Sequence, residues 1–188
     1  MQKITPAERY LEHCNKITGG EPEFHVEDSL IAGIPGVTTL IYKDFPRPGL
    51  ITGITYGLSI VDHPIWENFR TELCICVKSS NTDWVKMAGY IANKQRGKCP
   101  FTNGQTFNFG KPVIPDSGKD AFLVYSPVIL NDEEYQDIDI GADYKINIAG
   151  IYPIYSSELM LYKQIGLEEF WHKINFDLFD LNRKPIVI

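Results

Sequence analysis

The sequence contains no long apolar run. No stretch of its 188 residues approaches the roughly 18 consecutive apolar residues that a membrane-spanning helix needs. The N-terminal segment MQKITPAERYLEHC carries charges where a signal peptide would have its apolar core. We therefore expect a cytoplasmic protein with no membrane partner.

Cysteine is also scarce, with four residues at positions 14, 74, 76 and 99. Small secreted domains that lack a sufficient core are rich in disulfides, whereas cytosolic thiols stay reduced. A chain of this length buries about 70% of its unfolded surface and needs no covalent staple. The sequence predicts a single domain over residues 1–188 with four reduced cysteines.

Positive charge is in deficit, because 18 Lys and Arg residues face 24 Asp and Glu residues, a net charge of −6. This balance argues against a general nucleic-acid binder, which normally presents a basic surface. The excess acid is concentrated in residues 132–143, which contain no Lys or Arg, and the rest of the chain is neutral. The six acidic residues are Asp132, Glu133, Glu134, Asp137, Asp139 and Asp143.

Motifs for metal, cofactor or phosphate binding are missing as well. The sequence has neither the dinucleotide-binding pattern G-x-G-x-x-G nor the P-loop pattern G-x4-G-K-S/T. The acidic segment does not fit the twelve-residue loop that binds calcium. Cys74 and Cys76 share one face of a predicted strand, but Cys14 and Cys99 do not supply the second pair of a zinc ribbon. We interpret both as half-buried structural residues and expect no metal and no cofactor.

No catalytic residue is predicted either. Ser59, Asp62 and His63 resemble a triad only superficially, since no glycine follows at the position that a nucleophile elbow requires. The chain is therefore expected not to be an enzyme. The alternative is a small hydrolase or transferase whose site the fold assembles from Cys74, Cys76 and His63.

Helical signals occur in three places. Thr5, Pro6 and Glu8 form a capping box with proline at the first helical position, which predicts a helix over residues 5–18 that Gly19 ends. A second helix is predicted over residues 83–94, and a third from Ser156 to residue 173, interrupted at Gly166.

Between the helices, apolar residues recur at every second position. This alternation predicts strands over residues 37–42, 54–60, 71–78, 106–109, 121–130 and 145–155. This order favours an α+β fold with a mostly antiparallel sheet packed with helices. Five side chains are expected to be buried in it: Leu73, Ile75, Val77, Trp84 and Ile148.

The acidic segment has two interpretations. Six carboxylates repel one another unless they are solvated or meet a cationic partner, so the segment is either a solvated face or a contact for a basic protein. In the second case, Tyr135 and Tyr144 are the expected short-range anchors, because tyrosine is favoured at binding hot spots. The predicted partner site thus comprises the six acids, Tyr135 and Tyr144.

Three segments carry a family resemblance. They are Thr55-Tyr-Gly-Leu-Ser59; the strand Thr71-Glu-Leu-Cys-Ile-Cys-Val77 with the helical stretch 84–91; and Ile151-Tyr-Pro-Ile-Tyr-Ser-Ser-Glu-Leu159 with Gly166 downstream. In this order they resemble the suppressor of fused (SUFU) domain family, in its bacterial single-domain type. The resemblance is clearest over residues 30–173.

That resemblance implies a non-enzymatic α+β domain that binds protein. In animals, such a domain is the N-terminal half of a regulator that captures a transcription factor of the Hedgehog pathway. Bacterial single-domain relatives often stand beside polymorphic toxins and are inferred to be immunity proteins. The resemblance therefore suggests stoichiometric neutralisation of a toxin with a basic surface, and a general adaptor is the other protein-binding alternative.

Overall fold

The computed structural model of the chain describes residues 4–173 and 177–186. These residues contain four helices: α1 (Pro6–Thr18), α2 (Asp83–Gln95), α3 (Asp132–Tyr135) and α4 (Ser156–Lys173). The strands are β1 (Glu23–Glu27), β2 (Val37–Lys43), β3 (Leu50–Tyr56), β4 (Phe69–Lys78), β5 (Thr106–Asn108), β6 (Ala121–Tyr125), β7 (Ile138–Asp139) and β8 (Lys145–Ile154).

The strands form one sheet in the order β1-β2-β3-β4-β8-β6-β5. Every pairing is antiparallel except that of β4 with β8, which is parallel. The short strand β7 pairs with the start of β8, and β6 pairs with its end. The acidic segment is therefore tied to a central strand of the sheet through β7.

Helices cover both faces of the sheet. Leu73, Ile75 and Val77 alternate along β4 toward the face covered by α2, where they join a core with Trp84. Helix α2 packs closely there, since a Cβ added at Gly53 would lie 2.8 Å from the Val85 Cβ.

The opposite face carries α1 and α4. Tyr10 and Cys14 of α1 pack on Leu40, Ile54 and Ile148. Phe170 of α4 packs on the β6 end of the sheet. The sheet is thus buried on both faces.

The α+β class with a mostly antiparallel sheet is confirmed, and so is the burial of Leu73, Ile75, Val77, Trp84 and Ile148. The capping box of α1 is present: the Thr5 amide donates to Glu8 Oε2 at 2.7 Å. Helix α4 contains the predicted interruption at Gly166, whose φ of 81° lies outside the helical range. In the described part of the chain, no helix has both the length and the apolarity required to cross a membrane.

Two predicted strands are wrong in extent. The strand placed at residues 54–60 is β3 (Leu50–Tyr56), and the chain turns at Gly57, whose φ of 127° favours glycine. The strand placed at residues 121–130 ends at Tyr125, since Pro127 has no amide hydrogen for a sheet ladder. In both cases, the apolar residues that continue the strand pattern lie in a turn beyond the end of the strand.

Truncation of Ile75 to alanine should lower the free energy of unfolding by about 2–5 kcal/mol, because its side chain is fully buried between the sheet and α2. Chemical denaturation of wild type and variant measures the difference. The matched control is Ile65→Ala, since Ile65 is 60% exposed. A loss below ~1 kcal/mol at Ile75 would contradict its place in the core.

Candidate partner-binding site

The acidic segment is folded, although its composition suggests a loop. Asp132–Tyr135 form one helical turn, α3, whose acidic residues lie at the end where a helix favours negative charge. Glu134 reaches back to accept a hydrogen bond from the Asn131 amide at 2.7 Å. Tyr135 donates its hydroxyl to Asp132 Oδ1 at 2.9 Å. Local hydrogen bonds therefore hold this part of the segment.

The second half of the segment alternates between the core and solvent. Ile138 and Ile140 are buried against α1, whereas Asp137 and Asp139 are exposed. This two-residue alternation is the signal in the sequence that could have predicted a strand here. The isoleucines hold the carboxylates at the surface on an ordered backbone.

Three of the predicted acidic residues line one surface depression of about 380 Å³. These are Asp137, Asp139 and Asp143, and Tyr144 lines the same depression. The other lining residues are Asn68, Phe69, Ala142 and Lys145. Asp132 and Glu133 are exposed on α3 and do not line it, and Glu134 is half-buried. The structure therefore divides the predicted site into an acidic depression and a separate acidic turn.

Within the part of the chain that the structure describes, the carboxylates of this surface form no close ion pair, although Lys145 also lines the depression. Within residues 4–173 and 177–186, none of the six carboxylates lies within ion-pair distance of a cationic side chain. The Arg9 side chain lies against Gly141 nearby. Fixed, unpaired carboxylates raise the local negative potential, which attracts cationic partners and repels anionic ones.

The two tyrosines predicted as anchors are half-buried and pack on the core beneath α1. The Arg70 guanidinium lies 4.0 Å from the centroid of the Tyr144 ring, and Arg70 Nη1 donates to the Ser59 carbonyl at 2.9 Å. Burial raises the pKa of Tyr144, so its hydroxyl stays neutral. Tyr135 and Tyr144 therefore contribute rigid, partly apolar surface beside the acids.

The residues of the alternative enzymatic site have structural surroundings. Burial raises the pKa of the Cys74 thiol well above its ordinary value and that of Cys76 to about 11. Both therefore stay protonated near neutral pH, in the form that is neither nucleophile nor metal ligand. The Ser59 hydroxyl donates to Glu72 at 2.6 Å, and His63 Nδ1 accepts from the Ile65 amide at 3.2 Å. Among the described residues, no group of three or more His, Cys, Asp or Glu side chains is placed to hold a metal ion.

A chelator should leave the melting temperature unchanged, because among the described residues no third His, Cys, Asp or Glu side chain is placed to hold a metal ion with Cys74 and Cys76. Thermal denaturation with and without EDTA, together with metal analysis of the purified protein, measures this. A large drop in melting temperature with EDTA, or one zinc per chain, would contradict the structural role of the thiols.

A buried carboxylate that was not predicted from the sequence joins two of the motifs. Glu72 of β4 is fully buried. Its Oε2 accepts from the Thr55 hydroxyl at 2.6 Å, and its Oε1 accepts from the amides of Gly57 and Ser59 at 2.8 and 3.0 Å and from the Ser59 hydroxyl. Burial raises the pKa of Glu72, and these four hydrogen bonds oppose that shift.

Glu72 thus connects the Thr55–Ser59 segment to the Thr71–Val77 strand. The signal was a single acidic residue directly before the apolar run Leu73–Val77 of the same strand, since a glutamate is almost never fully buried without dedicated partners.

Residues 34–184 match the family described as "Suppressor of fused protein (SUFU)". The chain belongs to this family. The match covers all three segments on which the resemblance was based, so the family prediction is confirmed. Among curated proteins, no relative matches the chain.

Solved structures of suppressor of fused proteins share the fold. A SUFU homologue from Neisseria gonorrhoeae FA 1090 superposes with a TM-score of 0.72 at 17% identity, over 96% of each chain. Drosophila Suppressor of Fused superposes with a TM-score of 0.70 at 12% identity, over 98% of this chain and 52% of that one. A chain of a Sufu–Fu complex gives 0.62 at 12% identity, over 97% and 92%. The present chain therefore spans about half of the Drosophila protein and nearly all of the Neisseria protein.

Proposed function

We propose that this SUFU-family chain is a cytoplasmic, non-catalytic binding protein of the immunity type, which neutralises a toxin by stoichiometric association. The observation that carries the proposal is the acidic surface formed by Asp137, Asp139 and Asp143 on an ordered backbone, where none of the three forms an ion pair among the described residues. Toxins that act on nucleic acid need a basic surface, and an acidic protein that covers such a surface blocks access to the substrate.

Family membership supports a role in protein binding, since one chain of this fold is known in a complex of Sufu with Fu. The protonated thiols and the hydrogen bonds of Ser59 and His63 give no support to the alternative of a hydrolase or transferase. A general adaptor shares the same binding chemistry and differs only in what its partner does. The experiment therefore has to identify the partner and measure the consequence of binding.

The first step is capture of the partner from the native cytosol with a tagged chain, followed by mass spectrometry and co-expression. We expect one stoichiometric, basic protein that inhibits growth when expressed alone and is harmless when this chain is present. A captured partner that is harmless on its own would favour the adaptor instead. A catalytic turnover of any captured molecule by this chain would contradict the proposal.

Substitution of Asp137, Asp139 and Asp143 by asparagine should slow association with that partner by about tenfold or more at low salt, because steering charges act mainly on the association rate. The same change should flatten the dependence of the rate on salt. Stopped-flow or surface-based kinetics at several salt concentrations measure both. Glu134 is left intact because its carboxylate holds the Asn131 amide.

The matched control replaces three exposed, dispersed glutamates, Glu21, Glu67 and Glu168, by glutamine and so changes the net charge equally. Its association rate should stay near that of wild type. Equal rates for all three proteins at every salt concentration would show that the acidic segment is only a solvated face.

A further inference from the structure

The first strand of the sheet presents an unusually apolar edge. β1 is the terminal strand of the order, and its described pairing is with β2 alone. Phe24 and Val26, which point to the face covered by α1, are 57% and 58% exposed. Edge strands of stable monomers are usually protected by charge, proline or a covering element. Here two large apolar side chains remain in solvent beside main-chain groups that can pair.

An apolar groove of about 210 Å³ runs between β1 and α1, with Phe24 as its outer wall. Among the described residues that line it, only Glu8 is charged, and its carboxylate already accepts hydrogen bonds in the capping box of α1. The remaining lining residues are Ala7, Tyr10, Leu11, Thr38, Leu40 and Tyr56. A polypeptide laid along β1 would therefore meet apolar surface on this face.

The opposite face of the same strand is acidic. Glu23, His25 and Glu27 alternate with the two apolar residues, and Asp28 follows. Glu23 contacts Lys43 at 2.5 Å and Glu27 contacts His25 at 3.0 Å, but both pairs are partly open to solvent. A strand added beside β1 would place its own residues against Glu23 and Glu27, four positions apart.

This charge pattern disfavours a second copy of the chain. Antiparallel pairing of two β1 strands centred on His25 puts Glu23 opposite Glu27 at both ends, and like charges directly opposite are destabilising. If the pairing is centred on Phe24, Val26 lies opposite Pro22, which has no amide hydrogen for the ladder. If it is centred on Val26, the apolar Phe24 lies opposite the charged Asp28. No register pairs both the apolar and the charged residues favourably.

We propose that β1 is a docking edge for an extended segment of another protein, with basic residues four positions apart and two large apolar residues at alternate positions between them. The added strand continues the sheet through main-chain hydrogen bonds. Its apolar side chains pack beside Phe24 and Val26 at the mouth of the groove, and its basic residues face Glu23 and Glu27. This edge is separate from the acidic segment, and different variants test the two surfaces.

The probe is the acetylated, amidated peptide Thr-Lys-Val-Thr-Phe-Lys-Thr, titrated into the isotopically labelled chain. We expect saturable NMR shifts, confined to the amides of residues 23–27 and the first half of α1, with half-saturation below about 1 mM. Two control peptides should bind at least about tenfold more weakly. One carries glutamate for lysine, and the other carries N-methyl groups on the amides of one edge.

Phe24→Ser combined with Val26→Ser should weaken the peptide by about tenfold or more, since each substitution removes an apolar contact. The matched control, Val128→Ser combined with Met160→Ser, removes exposed apolar side chains elsewhere and should bind like wild type. Thermal melts of both variants exclude loss of the fold as the cause.

Absence of shifts in β1 up to about 1 mM peptide would overturn the proposal. Equal binding of the N-methylated peptide would do the same, because it would show contact without strand addition. Concentration-dependent self-association in sedimentation, abolished by Phe24→Ser, would replace the proposed partner with a second copy. None of these results bears on the association rates of the Asp137, Asp139 and Asp143 variant.

Discussion

Replacement of Glu72 by alanine should lower the free energy of unfolding by at least about 3 kcal/mol. This is a large share of the about 5–15 kcal/mol that typically separates a folded domain from its unfolded state. The substitution leaves two hydroxyls and two amides, from Thr55, Gly57 and Ser59, without their acceptor inside the sheet. A buried donor without a partner costs about 1–3 kcal/mol, and relaxation of the turn recovers part of the total. Chemical denaturation measures the effect.

Glu72→Gln is the second variant, because the glutamine side chain keeps the shape of glutamate and one acceptor oxygen. We expect a smaller loss than for alanine, since one oxygen still binds the turn while the NH₂ group faces a donor. Glu67→Ala, at an exposed site, serves as the control and should change stability by less than about 0.5 kcal/mol. A wild-type-like Glu72→Ala would contradict the role of Glu72 as the link between the two segments.

Replacement of Glu158 by alanine is expected to cost about 3–5 kcal/mol, because it removes the carboxylate of a buried ion pair. Arg183 donates to both Glu158 oxygens, at 2.5 and 2.8 Å, and the amides of Tyr155 and Ile186 donate to them at 3.0 and 2.9 Å. This network joins the start of α4 to the C-terminal residues 177–186. The control, Glu169→Ala, breaks an exposed pair with Lys173 on the same helix and should cost less than about 1 kcal/mol.

The Glu158 contribution should also depend on pH. Burial alone raises the pKa of Glu158, but the hydrogen bonds from Arg183 and two amides outweigh it and lower the pKa in the folded state. A carboxyl whose pKa is lowered by folding stabilises the protein above its unfolded pKa, about 4.3, and loses that effect as the pH falls through the folded value. The stability difference between wild type and Glu158→Gln should therefore be largest near pH 7 and shrink below about pH 4. A constant or widening difference would contradict the lowered pKa.

Elements whose signals are local were predictable. The capping box of Thr5 and Glu8, the glycine that ends α1 and the interruption at Gly166 depend on a few neighbouring residues, and all three are present. The alternation in β4 was equally sufficient to assign Leu73, Ile75 and Val77 to the core. Such patterns can be interpreted without knowing which parts of the chain pack against them.

Strand ends and the candidate sites were less accessible. Residues 57–60 continue the apolar alternation of β3, yet Glu72 binds the amides of Gly57 and Ser59 and turns the chain. In the acidic segment, the run of acids concealed the alternation of Ile138 and Ile140. The exposed edge at Phe24 was invisible, since a sequence does not show which strand lies last in a sheet.

The sequence by itself determined the fold class, the three longer helices, the central strands and the family, because capping, periodicity and the order of motifs depend on neighbouring residues. It did not show the short helix α3. Only the tertiary structure decided which carboxylates share a surface, which glutamate is buried and which strand is left at the edge. These depend on contacts between residues far apart in the chain, such as Glu72 with Thr55 or β4 with β8. Such long-range contacts gain their free energy from burial and hydrogen bonding, which form only when the chain folds.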